Sequence, residues 1–191
     1  MMRIRRMLFD RNSECLQPLL RLIEKQKHQT LVLWALEYAQ ELTNKFEEKY
    51  PNEHRPREAV KAGRAWAQGK IKMPAAKKAI CAVHNAATQI ANDIVYCSIA
   101  RAIGHAVATV HVETHAIGGP IYALTALVYE NSQENVSVVV VKECSRLHER
   151  LLYWEANIDS LQMPWANFLL RNDVSNKEQL YKEKRQTENS N

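Results

Sequence analysis

The sequence predicts an all-α fold, a single bundle of about seven or eight helices. Three observations lead there. Apolar residues recur three and four positions apart through most of the chain. Only 5 Gly and 6 Pro occur in 191 residues, fewer than the frequent turns of a β-sandwich consume. Ala, Leu, Glu, Lys and Gln are abundant, and each loses little on entering a helix.

Ser13 suits the cap of a first helix, with Pro18 near its first turn and Leu16, Leu19, Leu20 and Ile23 as its apolar face. Thr30 opens a longer helix to Lys49, where Leu33, Leu36, Ala39 and Leu42 share a face and Pro51 enforces the stop. Pro56 begins a helix that Gly69 ends. Pro74 begins another, reaching Asn92, and Asp93 caps the next. That helix is expected to carry the run Ala100 to Tyr122, rich in small residues and histidines, until Gly118-Gly119-Pro120 bends or breaks it. Ile121 to Glu130 resumes a helical pattern. Val136 to Val141 is β-branched, but Cys144, Leu147, Leu151 and Trp154 continue in helical register, so the stretch reads as one helix from Asn135. Met163 to Leu170 is a last short helix, and the polar end from Arg171 is expected to be disordered or an exposed helix.

The net charge of +5 concentrates at one end. Residues 1–30 hold Arg3, Arg5, Arg6, Arg11, Arg21, Lys25 and Lys27 against Asp10, Glu14 and Glu24, and the rest is nearly balanced. A solvated terminus explains this, and so does a contact with an acidic partner. Cys15, Cys81, Cys97 and Cys144 are dispersed without a C-x-x-C, which suggests free thiols and a cytoplasmic chain. Asp10 and Arg11 interrupt the apolar Met7-Leu8-Phe9, so no signal peptide is expected, and no run is long enough to span a membrane.

The histidines are the chemical question. Burying an unpaired imidazole is costly, so rings set among Ala, Gly and Val must find partners. On one continuous helix, His111 and His115 fall within about 40° of each other, a spacing that suits zinc. Glu113 falls on the far side, so the zincin arrangement is excluded. His84, with Cys81 three residues before it, is a third candidate ligand. Arg101 and His105 share a face one turn apart, and with His84, His111 and His115 they can line a polar pocket. Structural pairing of the rings with one another, with carboxylates or with carbonyls is the competing reading. No phosphate loop and no nucleophile elbow occur. Cys81 and Cys97 read as inert thiols among apolar neighbours, so no catalytic set is assigned and no cofactor is required. Trp34, Trp66 and Trp154 read as core. Arg64 beside Trp66 offers a slight hint of nucleic-acid binding, and the rest of the chain argues against it.

In order along the chain stand Trp34-Ala35-Leu36-Glu37-Tyr38-Ala39, Phe46-Glu47-Glu48-Lys49-Tyr50-Pro51, Arg55-Pro56-Arg57 and Ala62-Gly63-Arg64-Ala65-Trp66-Ala67. Then follow Gly69-Lys70-Ile71, Ala82-Val83-His84-Asn85-Ala86-Ala87, Arg101-Ala102-Ile103-Gly104-His105-Ala106, Thr109-Val110-His111, His115-Ala116-Ile117-Gly118 and Tyr122-Ala123. With these stretches the chain resembles a bacterial immunity-protein family, the immunity-protein-five-like class. The resemblance implies an all-helical fold. The chain then divides into a basic extension carrying one helix at 1–28, an all-helical domain over 29–170 and a polar tail at 171–191. It also implies a protein partner, a toxin domain, that the chain neutralises. The alternative is a metal- or small-molecule-binding protein, or an enzyme, that uses His84, Arg101, His105, His111 and His115, with Arg64 and Trp66 nearby. A purely structural helical scaffold is the third reading. The oligomeric state is open.

Overall fold

The computed structural model describes residues 7–131, 135–171 and 175–189. Arg3, Arg5 and Arg6 of the basic N-terminal stretch lie outside the described residues. Among those residues eight α-helices and no strands occur: α1 (Gln17–Ile23), α2 (His28–Lys49), α3 (Arg55–Ala67), α4 (Met73–Gln89), α5 (Ile94–Ala108), α6 (Gly118–Glu130), α7 (Val136–Asn157) and α8 (Lys177–Asn189).

The helix boundaries follow local chemistry. Pro18, Pro56 and Pro74 sit in first turns, where a missing N–H costs nothing. The Asp93 carboxylate accepts from the backbone N–H of Tyr96 and starts α5. Gly69 takes a left-handed φ of 73° after α3. Its N–H donates to the Trp66 carbonyl, and that of Lys70 donates to Ala65 at 2.8 Å, closing the helix end. The β-branched stretch Val136 to Val141 is helical, as its register with Leu147 and Leu151 requires.

Helix α5 forms the centre. Its buried Ile99, Ala100, Ala102, Ile103, Gly104, Ala106 and Val107 meet α2, α3, α4 and α6. Small side chains let these helices approach closely. Helix α7 closes the bundle over α2 and α6, and the Trp34 indole N–H donates to the Leu147 carbonyl at 3.1 Å. Helix α1 and the short 3-10 turn Glu14–Leu16 pack on α7, burying Leu16, Leu19, Leu20 and Ile23.

Two expected elements differ. The helix carrying the histidine run ends at Ala108, so His111 and His115 are not on one helical face. A turn at 109–112 and a 3-10 turn at Glu113–His115 intervene before α6, with Pro120 in that helix's first turn. The chain must reverse here, because α6 packs back along α5. Between Met163 and Leu170 the structure has a single 3-10 turn, Asn167–Leu169, and no longer helix. Its backbone is held to the bundle by the Ala166 N–H, which donates to the Ala67 carbonyl at 2.7 Å. At the polar C-terminal end, α8 docks against the Glu113–His115 turn with Glu178 buried.

Candidate functional site

Four elements bring their polar side chains to one place. His84 comes from α4, Arg101 and His105 from α5, His115 from the 3-10 turn, and Tyr122 from α6. The His84 and His105 rings are 5.4 Å apart, and His105 and His115 are 5.7 Å apart. His105 also stacks on Tyr122 at 5.1 Å. Arg101 donates to Thr88 Oγ1 at 3.1 Å and touches His84 Nδ1 at 3.5 Å.

Two glycines seat these rings. A Cβ on Gly104 would stand 2.6 Å from His84 Cε1, and one on Gly118 would stand 2.7 Å from His105 Nδ1. Both distances are shorter than any side chain tolerates. The glycines are therefore the space into which the imidazoles fit, and the small-residue run has a packing reason.

The cluster carries little charge of its own. Burial lowers the pKa of His105 to about 4, with His84, His115 and Arg101 adding repulsion. Burial followed by Arg101 lowers His84, and burial followed by His111 and Arg11 lowers His115. Among the described residues no carboxylate opposes these effects. Near neutral pH the three rings are neutral and Arg101 supplies the charge.

The other sequence candidates lie elsewhere. His111 is exposed, stacked on Trp66 at 5.9 Å, and Trp66 also meets Phe168 at 5.8 Å. Arg64 lies on another side, donating weakly to Gln40 at 3.4 Å beside a groove of about 490 Å³ that Glu37 and Trp154 also line. The metal candidates His111, His115 and His84 do not converge. Among the described residues no group of three or more His, Cys, Asp or Glu is arranged to hold a metal ion. Cys81, expected among apolar neighbours, is exposed, and Cys97 is half-buried.

A second polar centre escaped the sequence reading. His28 opens α2, and its Nε2 lies 2.7 Å from the Thr109 carbonyl. A carbonyl can only accept, so Nε2 carries a proton toward Thr109, and Nδ1 lies 3.8 Å from Glu113 Oε1. Burial lowers the His28 pKa although Glu113 pulls it upward. Glu113 Oε2 and Glu178 Oε2 are both buried without a hydrogen-bond partner. Arg11 binds Glu178 and also donates to the Thr114 carbonyl at 2.6 Å, tying the N-terminal segment, the 3-10 turn and α8 together. Burial raises the Glu178 pKa despite Arg11. His28, Glu113 and His111 border a cleft of about 380 Å³. The only sequence signal for this pair was a carboxylate inside an apolar run.

Both centres gather imidazoles with a guanidinium or with carboxylates, groups that can hold and orient polar partners. A family model described as "Imm-5 like putative immunity protein" matches residues 21–150. No curated protein and no solved structure matches the chain.

Proposed function

The chain belongs to the Imm-5 like immunity protein family, and from that premise we propose that it binds a toxin domain and neutralises it by covering the toxin's working surface. Family membership is the observation that carries this reading, since the matched segment spans more than half of the chain. The form of the molecule supports it. Helices α2 to α7 make a well-packed body around one apolar core. Such a body offers surface, and its recognition chemistry is charge and shape. We place the encounter in the cytoplasm. No helix among the described residues is long and apolar enough to cross a membrane.

The test is protection. Cells expressing the toxin encoded beside this chain's own gene are grown with and without the chain. Survival with the chain, together with a complex of the two purified proteins, is the expected result. Equal killing in both cultures, with no complex, overturns the proposal.

A further inference from the structure

The charge outside the N-terminal stretch balances in sum but not in place. From Ala59 to Val112 the chain holds Lys61, Arg64, Lys70, Lys72, Lys77, Lys78 and Arg101 against a single acid, Asp93. Asp93 is already engaged, pairing with Lys49 at 2.7 Å and accepting from Tyr50 at 2.8 Å. Lys61, at the edge of this stretch, pairs with Glu58 at 2.9 Å, and several cations of other elements are paired too. Arg57 pairs with Glu47, Arg146 with Glu41, Arg150 with Glu37 and Lys182 with Glu24. Lys70, Lys72, Lys77 and Lys78 are exposed and form no ion pair among the described residues.

The helix geometry aligns this surface with the histidine cluster. Lys77, Cys81, His84 and Thr88 follow one another by four, three and four positions, so they lie along one face of α4. That face meets Arg101 of α5. The Arg101 guanidinium is half-buried, and its contacts are a neutral hydroxyl and a neutral imidazole. It has five N–H donors and no carboxylate partner among the described residues. A half-buried cation of this kind gains charge-assisted hydrogen bonds when a carboxylate arrives from outside.

We propose that the α4–α5 ridge, from Lys70 to Thr88 with Arg101, is the docking surface for an acidic face of the protein partner, with a partner carboxylate seated on Arg101. This rests on the partner being a protein, as proposed above. The surface favours acidic protein over nucleic acid. Met73 is the exposed large apolar side chain of the α4 stretch, so bases find no aromatic platform there. Clustered like charges with no internal partners also speed encounter with an oppositely charged face.

The experiment uses the full chain labelled with nitrogen-15 and an oligoglutamate peptide as probe. Amide shifts clustered at 70–88, with movement of the Arg101 side-chain signal, are expected. Affinity should fall about tenfold in Arg101→Gln and by a similar factor in Lys77→Gln/Lys78→Gln, and it should weaken with added salt. The lysine pair is exposed, so its substitution tests the ridge even where Arg101→Gln disturbs packing. Shifts confined to the Arg11 and Arg21 end, unchanged affinity in the lysine variant, or a DNA duplex holding the ridge more tightly than the peptide would overturn the proposal. Oligoglutamate bound at the ridge without protection in cells leaves the surface standing and removes the toxin reading. Full protection by Lys77→Glu/Lys78→Glu does the reverse.

Discussion

Acid should loosen this protein through His105. Its ring sits over Gly118 against Tyr122, and the charged or ionisable groups that act on it are His84, His115 and Arg101, all cationic or neutral. Its pKa is lowered from 6.5 to about 4 in the folded chain. Above the unfolded value neither state binds the proton, so the ring contributes nothing to the pH dependence. As pH falls below that value the unfolded chain takes up the proton first, and stability is lost until the folded pKa is passed. The loss works out at about 2 kcal/mol by about pH 5 and about 3 kcal/mol below the folded pKa. The perturbation is His105→Gln, which removes the titration. Urea unfolding of the parent and the variant between about pH 7 and pH 5 gives the two stability curves. The parent should lose about 2 kcal/mol more than the variant over that range. A difference between the two that does not change with pH refutes the burial argument for this ring.

Gly104→Ala drives a methyl into the His84 ring and should cost about 1–3 kcal/mol, read as a lower urea midpoint with an unchanged slope. Arg11→Ala leaves the Glu178 carboxylate buried without its cation. It should cost about 2 kcal/mol at neutral pH, seen as faster amide exchange through α8, while an unchanged exchange pattern would show that the pair does not hold the helix. Thiol reactivity should follow exposure. Cys81 reacts first with a disulfide reagent, and Cys144 reacts last because burial pushes its pKa to about 12.

The helices were legible because their signals are local. Pro56, Pro74 and Asp93 mark starts, Gly69 marks an end, and the register of Leu147 with Leu151 outweighs the valines of α7. The end of α5 was not legible. Thr109 to Val112 reads as readily helical as the residues before it, and the break is set by the need to bring α6 back across α5. Half of the histidine cluster could be read. Arg101 and His105 share a face by spacing, but their meeting with His84 and His115 depends on how α4 and the 3-10 turn pack. His111 was drawn in by the false assumption of a continuous helix. The pairing of His28 with Glu113 joins residues too far apart in sequence for any local pattern to reveal. The uneven charge was present in the sequence, hidden by a whole-chain count.

His84, His105 and His115 are held neutral and crowded by glycine-lined helices, which leaves Arg101 as the uncompensated charge of the cluster. The nitrogen-15 spectrum of the imidazole rings, followed through a pH titration of the full chain, tests it most directly. Neutral rings at pH 7 are expected for all three residues, each titrating below its ordinary value and His105 at about 4. Rings already charged at pH 7, or titrating together at the value of a free histidine, would contradict it.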